Sequence, residues 1–218
     1  MRLYKASQLP QQPHMYFVYG DGGTGKTTLF KQFSGPKILF SFDLSTNVLR
    51  GEEDTDVVLV ERKDAPNIQE IVMHWVKGAI TSGKYKTIGL DNMSSLQNLV
   101  LENIDNAAKD NRQNYQKLQL WFRQLGTLLR EGSLNVYATA HQVDNGASGL
   151  TSEGRYAADM NEKTFNAFTS MFDFVGRIYK EDGQRCIDCD PEKGNHGKNR
   201  IDERTQFKAE ELIQKNNK

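Results

Sequence analysis

The run Gly20-Asp21-Gly22-Gly23-Thr24-Gly25-Lys26-Thr27 has the residue types and spacing to hold a chain of phosphates. It matches G-x-x-x-x-G-K-[ST], with an apolar strand before it and a helical stretch after it, which is the context this motif requires. Glycines let successive backbone N–H groups turn inward around an anion. A helix beginning near Lys26 adds the positive end of its dipole. In this reading Lys26 reaches the β and γ phosphates, Thr27 offers its hydroxyl to Mg²⁺, and Thr28 makes a weaker contact. The expected ligands are ATP and Mg²⁺.

A second oxygen ligand for the cation is expected at Asp91, the acid that ends the hydrophobic run Tyr85-Lys86-Thr87-Ile88-Gly89-Leu90. Its carboxylate would hold Mg²⁺ partly through water. Hydrolysis also needs a group that positions or activates water. Asp43, at the end of Ile38–Phe42, is the first choice, and Glu61, at the end of Asp56–Glu61, the second. His141-Gln142 closes a further strand. A polar group there, Gln142 ahead of His141, would reach the γ phosphate and sense its loss.

These residues need a scaffold that brings strand ends together. Met15–Tyr19, Ile38–Phe42, Asp56–Glu61, Lys86–Leu90 and Asn135–Ala140 read as strands. Between them lie helical stripes: Leu29, Phe30 and Phe33, stopped by Gly35-Pro36; Ile68 to Ile80 after Pro66, with Trp75 on the apolar face; Leu96 to Ala107; and Tyr115, Leu118, Phe122, Leu125 and Leu129, closed by Gly132. A polar stretch from Val143 to about Met160 is long for a compact domain, as functional loops often are. A short helix follows over about 161–170. Next comes a hairpin of Asp173–Lys180 and Gln184–Asp188, turning at Asp182-Gly183. A Gly-rich loop over 190–199 and a charged, helical C-terminus complete the chain. Strands alternating with helices argue for an α/β fold, a mainly parallel sheet covered on both faces. One domain is expected over 14–208, with a flexible segment at 1–13 and a charged tail at 209–218.

The 218 residues carry 28 basic and 28 acidic side chains, so the formal net charge is zero. Nucleic acid would then be attracted only by local patches. No apolar run spans a bilayer and no signal-peptide core is visible, so no membrane partner and a cytoplasmic location are expected. The only cysteines, Cys186 and Cys189, form a Cys-x-x-Cys pair. His196 is a possible third ligand and no fourth stands out, so a strand-edge pair is the plainer reading than zinc.

In their order these pieces resemble the RecA superfamily, and more closely the phage nucleotide-binding proteins of Sak type, single-strand annealing ATPases. The likeness covers roughly residues 14–208. It rests on Gly20–Thr28, Ile38–Asp43, Thr87–Leu96, Asn135–Gln142, Phe172–Ile178 and Lys198-Asn199-Arg200. It implies a RecA-like core, with Asp43 as the water-activating acid in place of the usual glutamate. It also implies that Gln142 couples the γ phosphate to a DNA-binding loop at about 143–160. Lys198 and Arg200 would reach a neighbour's ATP in trans, as arginine fingers do. Arg155, Tyr156 and Lys163 would meet single-stranded DNA, Tyr156 by stacking. The partners implied are single-stranded DNA, further copies of the chain in a ring or filament, and a phage or host single-strand binding protein.

Three other readings compete. A helicase-loader-like AAA+ ATPase would usually carry glutamate where this chain has Asn92, and no helical lid domain is visible. A small-molecule kinase would usually bring an arginine-rich lid, and 143–160 holds one arginine. A nucleotide-dependent binding module with negligible turnover would fit Asn92.

Overall fold

The computed structural model describes residues 3–104, 107–146 and 155–213. Five strands form the frame on which the phosphate motif sits: β1 (Met15–Gly20), β2 (Lys37–Ser41), β3 (Thr55–Leu59), β4 (Thr87–Asp91) and β5 (Asn135–Ala140). Two more, β6 (Gln142–Asp144) and β7 (Tyr156–Ala158), pair with each other as a separate ribbon. The main sheet continues with β8 (Phe174–Glu181), β9 (Gln184–Asp188), β10 (Lys198–Asn199) and β11 (Gln206–Lys208).

Among the described residues, the main sheet has nine strands in the order β11-β9-β8-β1-β5-β4-β2-β3, with β10 on β8. The six strands from β8 to β3 run parallel, and β9, β10 and β11 add antiparallel pairs at one end. The α/β expectation holds. β5 lies between β1 and β4, so the strand ending in His141 separates the phosphate loop's strand from Asp91's.

Among the described residues, five α-helices cover the sheet: α1 (Lys26–Leu29), α2 (Ile68–Thr81), α3 (Met93–Glu102), α4 (Asn111–Glu131) and α5 (Glu162–Thr169). Side chains alternate along each strand, so the central strands feed two cores. Phe17, Phe40, Leu90 and Ala138 pack under α2 to α5. Val18, Leu39 and Tyr137 pack with Leu29, Phe30 and Phe33 on the other face.

The periodicity needs correction in several places. On α4, Trp121 is buried and Tyr115 faces outward; on α2, Trp75 is half exposed. Pro66 falls in a 3-10 turn over Arg62–Asn67, and α2 begins only at Ile68. Pro66 lacks an N–H, so it suits a helix entrance. Beyond the hairpin, whose turn has both Asp182 and Gly183 at positive φ, the sequence hides two short strands. β10 lies in the presumed 190–199 loop. β11 occupies the presumed helical C-terminus, and a 3-10 turn follows at Ala209–Glu211. Ala209 and Leu212 are buried in the second core, so the packed body runs past residue 208. Both β10 and β11 are too short to show alternation.

Candidate functional site

The parallel strands β1, β4, β2 and β5 all end on the same edge of the sheet, which carries the phosphate motif. β1 delivers Gly20 there, and the loop turns with Gly23 at φ 73° and Gly25 at φ 100° before α1 starts at Lys26. Left-handed backbone of this kind suits glycine alone among common residues. The helix is only four residues long, so the loop's own N–H groups, rather than a long dipole, would have to supply an anion site.

Lys26 is 7% exposed, and its Nζ donates to the carbonyls of Gly20 (2.8 Å) and Asp21 (2.9 Å). Burial lowers its pKa, against the pull of Asp91, Asp21 and Asp43. The ammonium therefore sits in a cradle with negative charge around it and little water. Tyr137 of β5 donates its hydroxyl to the Lys26 carbonyl at 2.7 Å, fixing the first turn of α1 to the sheet.

Asp91 is 3% exposed. It accepts from Thr27 Oγ1 at 2.6 Å and, through its other oxygen, from Thr139 Oγ1. Burial raises its pKa, and the two hydroxyl donors together with Lys26 oppose that rise. Beside it on β2 stands Ser41, in register with Asp91, fully buried and with an Oγ that has no partner. A buried hydroxyl left unpaired costs free energy unless something else satisfies it. Thr27, Asp91 and Ser41 thus offer hard oxygens of the kind Mg²⁺ and its water shell accept. The residues present fit that ion.

At the tips of β2, β4 and β5 a polar knot forms. Asn92 follows Asp91 across a cis peptide bond and is 1% exposed. Its Nδ2 donates to Asp43 Oδ2 at 2.7 Å and meets His141 Nε2 at 3.0 Å, while its Oδ1 accepts from Ser95 N at 2.8 Å and caps α3. Asp43 Oδ1 also accepts from Ser45 N at 3.0 Å. The structure therefore brings Asp43 to the end of the sheet that holds Asp91. Glu61 instead closes a capping box with Asp64 and pairs with Lys63, although it lines the same cleft as Asp43.

Gln142 reaches the phosphate loop directly. Its Nε2 donates to Asp21 Oδ2 at 2.8 Å, and its Oε1 accepts from Arg177 Nε at 2.9 Å. Arg177 lies 3.5 Å above the Tyr156 ring, and the Tyr156 carbonyl accepts from Tyr19 OH at 3.0 Å. The phosphate loop is thereby wired through Gln142 and Arg177 to β7.

Other expected site residues lie apart. Arg155 is paired with Asp144 at 3.2 Å across the ribbon and lies over the Tyr156 ring. The ring of Tyr156 thus has a guanidinium at 4.9 Å and another at 3.5 Å. Lys163 is exposed in the first turn of α5. Residues 147–154, the centre of the expected DNA loop, lie outside the described residues. Lys198 pairs with Val175, three residues before the strand position beside Gly20, so it sits about 10 Å down the sheet from the phosphate loop. Its Nζ donates to the Thr169 carbonyl at 2.8 Å. Burial, chiefly, pushes its pKa down to about 8. Arg200 is exposed, and its backbone N–H bonds the Asp173 carbonyl at the same far end. Cys189 is buried with its thiol toward the Arg204 and Thr205 carbonyls, and its pKa rises to about 11. Among the described residues no cluster of metal-ligating side chains occurs.

Sequence reasoning missed Thr139, Tyr137, Ser41, Arg177 and Arg185. Thr139 and Ser41 carry a readable sign, a hydroxyl between apolar neighbours on a buried strand. Arg177 is a cation between the apolar residues Val175 and Ile178 of its strand. Arg185 becomes visible only in three dimensions. Its Nε lies 2.8 Å from where a Cβ on Gly25 would sit. It lines a cleft of about 520 Å³ together with Thr28, Gln32, Gln184, Lys208 and Glu210, immediately beside the phosphate loop.

Against known proteins, residues 12–201 match a family model described as an AAA domain. The chain belongs to the AAA domain family. No curated protein matches it. The AAA domain assignment makes the chain a nucleotide-binding P-loop ATPase. No helix among the described residues is long and apolar enough to cross a membrane.

Proposed function

We propose that this ATPase acts in DNA recombination or single-strand annealing, binding single-stranded DNA and assembling head to tail with ATP at the interfaces between copies. The observation that carries the reading is the Asp21–Gln142–Arg177–Tyr156 connection. It ties the phosphate loop to the ribbon that flanks residues 147–154, so a change at the phosphates has a direct path to the segment expected to meet DNA.

At the site itself the roles follow from position. The loop N–H groups and Lys26 bind the β and γ phosphates and neutralise the charge that develops on the leaving oxygens. The cleft by Thr28 and Arg185 takes the nucleoside, since it adjoins the start of α1. Thr27 and Asp91 would hold Mg²⁺, which offsets phosphate charge when bound. Asp43 orients and deprotonates the attacking water, and Gln142 registers the γ phosphate. Lys198 and Arg200 serve a neighbouring copy, a role their distance from their own loop supports. Arg155, Tyr156 and Lys163 contact the strand of DNA.

The test is ATP hydrolysis with and without single-stranded DNA, using Lys26→Ala as the blank. Stimulation that vanishes in the variant supports the reading. Turnover indifferent to DNA removes the DNA role and leaves a loader or a kinase, which addition of a helicase or a nucleoside acceptor separates. ATP bound without turnover leaves a nucleotide-dependent binding module.

A further inference from the structure

The side chain of Asn92 has three hydrogen-bonding groups, and all three are engaged. Its oxygen accepts from the Ser95 backbone N–H, and its nitrogen faces Asp43 Oδ2 and His141 Nε2. An amide oriented the other way would set its oxygen against the Asp43 carboxylate and its NH₂ against the Ser95 N–H. Both contacts would repel, so the orientation is fixed from two sides. An amide nitrogen has two hydrogens and no acceptor lone pair. His141 Nε2 must therefore be the acceptor, and the ring proton sits on Nδ1. The backbone of His141 is held as well, by Ser94 Oγ at 3.1 Å and by Asp159 N at 2.8 Å.

We propose that Asn92 is the positioning residue for hydrolysis: its amide aims Asp43 and locks His141 as the neutral Nδ1–H tautomer, joining the tips of β2, β4 and β5 into one rigid platform. The inference rests on the reading of Asp43 as the group that activates water. The amide takes one lone pair of Asp43 Oδ2 and Ser45 N takes one of Oδ1. That leaves the carboxylate fixed in angle with lone pairs to spare for a water. A neutral amide at this point does what a second carboxylate could not, because two acids side by side would compete for a proton and repel. Holding the base in a single geometry is where the rate gain comes from, since small displacements of a reacting group cost orders of magnitude.

The experiment combines turnover with ¹⁵N NMR of the full-length chain, with the His141 signal assigned through its loss in His141→Asn. In the wild type, His141 is expected to show a pyrrole-type Nδ1 and a pyridine-type Nε2. Asn92→Asp keeps the size and the cap to Ser95 but loses the donor. It is expected to move the proton to Nε2 and to lower kcat on the order of 10²-fold with KM for ATP within about twofold. A purely structural residue would move neither the tautomer nor kcat separately from KM. Nε2–H in the wild type, or an Asn92→Asp protein with wild-type kcat, overturns the inference. The wild-type tautomer is read without Asn92→Asp, so poor folding of that variant does not remove the test. A wild type that binds ATP without turnover under any condition overturns the Asp43 reading instead, and the tautomer readout keeps the two failures apart.

Discussion

Two polar regions of this chain handle charge in opposite ways. At the phosphate edge, Lys26, Asp91 and Asn92 are almost completely buried, each held by groups from another strand or from the loop. The protein carries desolvation there that shifts Lys26 down and Asp91 up. Around the β6–β7 ribbon and β10, the cations settle locally: Arg155 on Asp144, Lys198 on a helix carbonyl. The difference teaches where burial marks a site and where surface charge is settled locally. A group buried at a cost to itself has a reason on the spot. A cation that already has a local partner gives one up when it binds something else.

The sharpest way to break this contrast is Lys26→Ala. It is expected to reduce ATP turnover on the order of 10²–10³-fold and to weaken binding of a fluorescent ATP analogue, with the far-ultraviolet circular dichroism unchanged. A variant that still turns over would mean the buried edge is structural.

Asp91→Asn comes next, with a loss of turnover on the order of 10²-fold. It also tests the burial argument through pH. The native carboxyl titrates above its ordinary value, so the folded state binds that proton more tightly than the unfolded one. The stability involved is full at low pH and is lost as pH rises through the raised native value. Asparagine has no such loss. Without nucleotide, the Tm of Asp91→Asn at pH 7–8 is expected to equal or exceed that of the wild type, with the gap closing in acid. A lower Tm at pH 7 would show that the hydroxyls of Thr27 and Thr139 more than offset the burial.

Arg177→Ala probes the join between the two regions. It removes the link from Gln142 to Tyr156 while leaving the loop intact. Stimulation by single-stranded DNA is expected to fall about 5–10-fold, in the range of ordinary coupling energies, with a smaller drop in basal rate. Equal losses in both would place Arg177 in the hydrolysis site and not in the connection.

The same contrast explains what the sequence made legible. The phosphate loop is a local motif with a fixed spacing over eight residues, so Gly20–Thr27, the strand before it and the start of a helix at Lys26 were readable outright. The parallel strands β1, β2, β4 and β5 were readable because each is a buried apolar run bounded by turns, and β3, half exposed at the edge, was readable from its Val57-Val58-Leu59 run. The Asp43–Asn92–His141 knot joins three strand ends 49 residues apart or more, and its members look like ordinary strand-end polar residues. Asn92 in particular read as a missing acid, although its amide is what joins the others. β10 and β11 were lost because strands of two and three residues show no period. Tyr115 turns outward and Trp121 inward although both fit a helical stripe, so the stripe alone does not select between them.

The smallest expected effect belongs to Lys198, where the contrast is finest. Its native pKa of about 8 lies below that of an unfolded lysine, so near pH 7 the fold must keep a half-buried ammonium charged. Stability from this group appears only as pH rises through about 8, because the unfolded chain then binds the extra proton. Lys198→Met has no such gain. The Tm of the wild type relative to Lys198→Met should therefore increase between pH 7 and pH 10, by about 2–4 °C if roughly 1 kcal/mol is involved. The same pair of proteins tests the trans role, through the dependence of ATP turnover on protein concentration. If Lys198 serves a neighbour's ATP, the variant loses the rise in specific activity with concentration while the pH slope changes as stated. If only the slope changes, the Nζ–Thr169 contact is its whole role, and exposed Arg200 is left as the cation to reach the next copy.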